Sequence, residues 1–203
     1  MVRGLPDLEE LEDNCADCLA DKQSRDSIPK QENWRATSKL ELVHSDICGP
    51  INPQSNGDNR YFMTFTDDMS RKTWTYVLKE KSNAFENFKV FKALVEKEVG
   101  CGIQCLRTDR GGEYTSNAFN EFCSREGIKR QLTATYTPQQ NGVSERKNRT
   151  LLNIVRSMIN ARRVPKSFWP EAVKWATYVM NRSPTLNVKN MTREESWIGK
   201  KPY

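Results

Sequence analysis

Residues 40–48 alternate apolar with polar positions, and the run stops at Gly49-Pro50, the pattern of a strand that ends in a turn. Tyr61–Thr66 and Thr73–Leu78 are rich in aromatic and β-branched residues and flank Asp67-Asp68-Met69-Ser70-Arg71. They predict two further strands, antiparallel and joined by a tight loop, with Asn56-Gly57-Asp58 turning into the first. The period then lengthens. Phe85, Phe88, Phe91, Leu94, Val95 and Val99 recur every three or four residues between Ser82, a good N-cap, and Gly100, a good stop, which predicts an amphipathic helix. Gln104–Thr108 reads as a short strand broken by Asp109-Arg110-Gly111-Gly112, residues 117–126 as a helix closed by Gly127, and Ile128–Thr133 as a strand. Strand, helix, strand is the alternation of an α/β fold. Past a loop at 135–142, containing Pro138 and Asn141-Gly142, a long helical pattern runs from Ser144 through Leu151, Leu152, Val155, Met158 and Ile159. A last helix spans Ser167–Asn181, stopped by Ser183-Pro184. Residues 1–38 are polar and acidic with weak periodicity, and read as a short helix and linker outside the main core.

At 203 residues the chain suits one domain with a short appendage, and its 8 Phe, 5 Trp and 6 Tyr argue against a wholly disordered chain despite only 36% apolar residues. No run of 18 apolar residues exists, so no membrane partner is expected, and the acidic start lacks the apolar region of a secretory signal. Charge changes the picture more than composition does. Residues 1–26 carry eight acids and three bases, whereas residues 27–203 carry 18 acids and 29 bases. From Ser144 to Lys166 seven bases face one acid, Glu145. Such a cluster suits a polyphosphate partner through counterion release, although a solvated helix face has the same composition.

Six cysteines without a signal peptide read as reduced thiols. Cys15-x-x-Cys18 alone has metal-ligand spacing, and the sole histidine, His44, lies too far along to complete a finger. At best the pair is an incomplete zinc site that needs ligands from elsewhere, and two ordinary thiols are the plainer account of it.

Three carboxylates stand out by setting: Asp46 in the first strand, Asp109 at the end of a later strand and Glu145 in the first turn of the long helix. Carboxylates converging from separate elements can hold two divalent cations for phosphodiester chemistry, and hard oxygen ligands favour Mg²⁺ or Mn²⁺ over zinc. Spacing alone decides nothing: roughly 0.8 Asp-to-Glu pairs are expected at any one separation by chance. Each residue also has a plain structural account. Asp46 could be a solvated strand residue, Asp109 an Asx-turn former before two glycines, and Glu145 a partner of the helix dipole and of Arg149. His44 shares a strand face with Asp46 by period two. Asp67 and Asp68 suit caps of the hairpin turn, and Trp169, Trp175 and Tyr178 fall at helical spacing and read as packing.

The words around the carboxylates are more specific. Leu42-Val43-His44-Ser45-Asp46-Ile47-Cys48-Gly49-Pro50, Arg107-Thr108-Asp109-Arg110-Gly111-Gly112-Glu113-Tyr114 and the stretch Thr137-Pro138-Gln139-Gln140-Asn141-Gly142-Val143-Ser144-Glu145-Arg146-Lys147-Asn148-Arg149 together resemble the catalytic core of retroviral and retrotransposon integrases. Phe168-Trp169-Pro170-Glu171-Ala172 through Asn181-Arg182-Ser183-Pro184-Thr185, and Met191-Thr192-Arg193-Glu194-Glu195-Ser196-Trp197, narrow the resemblance to copia-type retrotransposons. It covers nearly the whole chain. It implies an RNase H-like fold, a five-stranded mixed sheet flanked by helices, with Asp46, Asp109 and Glu145 as an acidic triad for two Mg²⁺ or Mn²⁺ ions. The implied activity is 3′-end processing followed by DNA strand transfer, with element ends and target DNA as partners and with homo-oligomers. The DNA substrate implies a nuclear site of action, with a cytoplasmic particle stage before it.

For DNA contact the candidates are Gln140 and Asn141 on the loop before Glu145, then Arg146, Lys147 and Arg149, where cations beside a metal triad could grip phosphates. Residues 1–36 resemble the end of a zinc-binding pre-integrase segment, and 37–203 the core with its C-terminal helices. The His pair that completes the family's zinc site does not precede Cys15 and Cys18, and the chain reads as a piece of a Pol polyprotein truncated at both ends. A catalytically silent DNA-binding or assembly fragment is the alternative from another class. An RNase H-like nuclease would share the metal chemistry without the copia-type C-terminal words.

Overall fold

The computed structural model describes residues 35–132, 142–185, 188 and 191–201. The elements run β1 (Val43–Cys48), β2 (Tyr61–Asp67), β3 (Thr73–Leu78), α1 (Ala84–Val99), β4 (Cys105–Thr108), α2 (Gly112–Thr115), α3 (Asn117–Arg125), β5 (Lys129–Leu132), α4 (Gly142–Ala161), α5 (Trp169–Arg182) and α6 (Arg193–Ile198). They build one five-stranded sheet in the order β3-β2-β1-β4-β5. The hairpin partners β1, β2 and β3 pair antiparallel. β4 runs parallel to both β1 and β5, because helices carry the chain back between those strands. The mixed sheet flanked by helices is the α/β arrangement that the alternating pattern predicts.

Side chains alternate across a strand, so the sheet has two faces of different composition. On one face Val43, Ile47, Met63, Phe65, Trp74, Tyr76 and Leu78 pack under α1 and α3. Phe65 stacks on Phe91 with ring centroids 4.1 Å apart, and Phe88 on Phe119 at 5.1 Å. Each fully buried Phe contributes about 1.5–3 kcal/mol relative to leaving it in water. On the other face Phe62 packs near Trp169, with Leu151, Val155, Val173 and Ala176 from α4 and α5. Away from Phe62 that face turns polar: Thr64, Thr66 and His44 are buried there, and Asp46 stands across from Thr64. Asn181 at the end of α5 ties that helix to the sheet edge, giving its amide to the Thr73 carbonyl and taking the Thr73 N–H.

Most elements fall where the pattern predicts, and the departures have local causes. Leu40, expected in the first strand, has φ 61° in a buried turn, and β1 begins at Val43. Ser82 is not the N-cap: a 3₁₀ turn over Lys81–Asn83 comes first, with Glu80 and Asn83 capping one another, and α1 starts at Ala84. α4 starts at Gly142 rather than Ser144. α2 is a single turn, too short for periodicity to reveal. α6 was open to reading, since Thr192 and Glu195 form a reciprocal capping box and Gly199 closes it at φ 81°. Ala36 belongs with the core, donating its N–H to Asp68 Oδ2 at 2.8 Å. Residues 1–34, with Cys15 and Cys18, and Thr133 lie outside the described residues.

Candidate active site

Asp46 sits inside β1, opposite Thr64 of β2, with its side chain on the polar face. Asp109 follows the last residue of β4. The parallel register that pairs His44 with Arg107 carries Asp109 alongside Asp46 on that face. Its Oδ1 accepts the Gly111 N–H at 3.0 Å, so the Asx-turn reading and the site reading both hold. Glu145 lies in the first turn of α4 and is exposed. α4 crosses β1 and β2, which brings that turn to the same side of the sheet.

The electrostatics tie the three together at Asp46. Its carboxyl is pushed up to about 7, first by burial, then by the negative charge of Asp109 and to a lesser degree that of Glu145, against the opposing hydrogen bond from Asn148. Asn148, a buried residue of α4, donates from Nδ2 to Asp46 Oδ2 at 2.7 Å and accepts from Thr64 Oγ1 at 3.0 Å. Reading by motif missed this role. The signal was present, because Asn148 follows Glu145 by three and so shares its side of the helix. Beneath the strand, the buried Tyr114 hydroxyl is 2.8 Å from Ser45 Oγ. Among the described residues no three acidic, His or Cys side chains converge closely enough to hold a metal ion. Asp109 and Glu145 both act on Asp46 electrostatically, Asp109 the more strongly, without the three closing on one point.

The remaining candidates divide. His44 turns away from Asp46: its Nε2 is 2.9 Å from Asp68 Oδ1, and burial holds its pKa below the ordinary value. Asp68 also pairs with Arg71 at 3.2 Å. Asp67 caps the hairpin turn as expected, accepting the Ser70 N–H and hydroxyl and the Leu40 N–H. Trp169 is buried packing. Trp175 and Tyr178 are not: they occupy the outer face of α5, 59% and 50% exposed, because six and nine positions from Trp169 are about 240° and 180° around the helix. Arg146 and Arg149 are exposed on α4, whereas Gln140 and Asn141 lie outside the described residues. Lys147 is corrected as a DNA contact. Its side chain is buried under α5 with Nζ 3.9 Å from Met180 Sδ, and burial, with Arg193 and Arg71 nearby, lowers its amine to about 7.

With this geometry in place, residues 36–138 match the family described as the integrase core domain. Over 92% of its length the chain is 48% identical to the Retrovirus-related Pol polyprotein from transposon TNT 1-94 of Nicotiana tabacum, of which it covers 14%. The chain belongs to the integrase core family. A second relative, the Pol polyprotein from transposon RE1 of Arabidopsis thaliana, is 36% identical over 85% of the chain and 12% of that protein. This integrase core thus spans about one seventh of the length of its curated relatives, and its nearest words are of the copia type. The simian T-cell lymphotropic virus intasome, solved in complex with PP2A regulatory subunit B56 gamma, supplies a solved structure of the same fold. It superimposes with a TM-score of 0.67 at 19% identity, over 85% of this chain and 59% of that one. The fold is RNase H-like.

Proposed function

We propose that this integrase core catalyses divalent-metal-dependent phosphoryl transfer on DNA, processing a 3′ end with water and then joining that end to target DNA. The observation that carries the reading is the convergence of charge on Asp46, whose carboxyl is raised by its burial, by Asp109 and by Glu145 while Asn148 holds one of its oxygens. Hard carboxylate oxygens in mutual repulsion are the donor set that Mg²⁺ or Mn²⁺ suits. Asp46, Asp109 and Glu145 are the residues that would hold two such ions, which when bound activate the attacking oxygen and stabilise the leaving one.

Asn148 holds Asp46 Oδ2 with its amide while accepting the Thr64 hydroxyl, which ties the carboxylate to α4 within electrostatic reach of Asp109 and Glu145. The Gly111 N–H does the same for Asp109. In each step one P–O bond forms and one breaks at the same phosphorus, with no covalent intermediate on the protein. His44 is spent on Asp68 and takes no proton in the scheme. Exposed Arg146 and Arg149, beside Glu145, would grip flanking phosphates. DNA ends and target DNA are the proposed substrates, homo-oligomers the proposed working form and the nucleus the proposed site. Among the described residues no helix is long and apolar enough to cross a membrane.

A catalytically silent DNA-binding fragment is the second reading, favoured by the failure of the three carboxylates to converge on one point. A phosphoryl-transfer assay on a pre-branched DNA substrate, with Mg²⁺ or Mn²⁺, separates them. Product from the chain that is lost in Glu145→Gln is the expected outcome. No product from either chain selects the silent fragment, and product that survives in Glu145→Gln removes that residue from the triad.

A further inference from the structure

The C-terminal end of α4 and the start of α5 enclose an open groove of about 520 Å³, away from the carboxylates. Its walls are apolar, made by Met158, Ile159, Val164, Phe168 and Ala172. Val164 and Phe168 remain 38% and 42% exposed, so this apolar wall is open to an occupant. The rim is cationic. Arg162 lines the groove, Arg163 and Lys166 flank it, all three are exposed, and Glu171 is the one acid in the lining. Among the described residues none of the three bases is engaged in an ion pair. An occupant must therefore bring apolar side chains and negative charge together.

The chain carries one segment of that chemistry. Leu5-Pro6-Asp7-Leu8-Glu9-Glu10-Leu11-Glu12-Asp13 places three leucines at every third position among five acids. It lies outside the described residues, and its composition is the complement of the groove: leucines for the Met158 and Phe168 walls, carboxylates for Arg162, Arg163 and Lys166. The tether is long enough. Residues 14–34 can span about 70 Å when extended, against a diameter of roughly 40 Å for a compact body of this size. We propose that the groove between α4 and α5 is the docking site of the chain's own acidic, leucine-bearing segment, residues 5–13. Apolar burial supplies the affinity of such a contact, and the charges orient it.

The test uses the full 203-residue chain and the double variant Leu8→Ser/Leu11→Ser, which leaves every groove residue intact. The Met158 methyl signal, followed by NMR, should shift between the two while the Met63 signal in the opposite core stays in place. Carbodiimide should join the Lys166 ammonium to a carboxylate between Asp7 and Asp13 in the wild-type chain, and that link should be lost in the variant. An unmoved Met158 signal, or a link undiminished in the variant, overturns the proposal. Links that form only between isotopically labelled and unlabelled chains also overturn it, because they assign the segment to a second copy.

Discussion

The two faces of the sheet are made from the same five strands and do different work. Under α1 and α3 the face is aromatic and closed: Phe65, Phe88, Phe91 and Phe119 are wholly buried and stack on one another. Under α4 and α5 the face is threonine-rich, and its buried side chains hydrogen-bond across the gap: Thr64 to Asn148, Thr75 to Thr177, Asn181 to the Thr73 backbone. An apolar face can be filled by any side chains of the right volume, but a polar one must be matched donor to acceptor. That demand fixes where α4 sits, and α4 carries Glu145. The difference teaches that stability and positioning are separated in this fold, one to each side of the sheet, and substitutions can probe each side alone.

The largest effect is expected at the carboxylates. Asp109→Asn keeps an oxygen to accept the Gly111 N–H, so the turn survives while the negative charge of a proposed metal ligand is lost. We expect phosphoryl transfer to fall by ~10³ or more, as several kcal/mol of transition-state stabilisation disappear, with the thermal midpoint unchanged. A thermal midpoint that drops in parallel with activity would dissolve the separation of the two faces. The converse is Phe88→Ala on the closed face. Removing a wholly buried ring that touches Phe65 and Phe119 should cost about 3–5 kcal/mol in denaturant unfolding and leave activity per folded molecule unaltered.

Asn148 tests the border between the two roles. Asn148→Ala removes the amide that holds Asp46 Oδ2 and leaves Thr64 Oγ1 with the Asp46 carbonyl as its remaining acceptor, at 3.5 Å. Activity should fall about 10–100-fold, the effect typical of groups that orient a metal ligand, with a higher metal concentration needed for half-maximal rate. A loss of rate with no change in metal dependence would make Asn148 a packing residue only.

How much of this was legible in the chain follows the same division. The closed face was open to reading, because Phe85, Phe88 and Phe91 announce their helix by spacing and the strands announce theirs by β-branched runs. The motifs marked Asp46, Asp109 and Glu145, each of which had a sufficient local explanation by itself. What stayed hidden was pairing across the polar face. Nothing local to His44 says that it turns to Asp68 and not to Asp46, since both choices lie on one face of the sheet. Trp175 and Tyr178 stand six and nine positions after Trp169, about 240° and 180° around α5, so counting around the helix would have set them apart from the buried Trp169 where a plain reading of aromatic recurrence did not. α2 was too short to leave a period, whereas the capping box of α6 did leave a signal at Thr192 and Glu195.

The smallest effect separates two adjacent cations. Lys147 and Arg149 belong to one basic run, and by charge alone they are equivalent candidates for DNA. On α4 they are two positions apart and so point in different directions. Lys147 is buried beside Met180 with its amine lowered to about 7, so what charge it keeps at neutral pH is not presented at the surface to a phosphate. Arg149 is exposed on the side of α4 near Glu145. Arg149→Ala should weaken DNA binding evenly across sequences and reduce the slope of log affinity against log salt by about 0.9, the share of one phosphate contact. Lys147→Met should leave the slope alone and hold or raise the thermal midpoint, because a thioether of similar length replaces a buried amine without a strong acceptor. If instead the slope falls in Lys147→Met and not in Arg149→Ala, DNA approaches by the α4–α5 seam, and the polar face is a binding surface on both sides of α4.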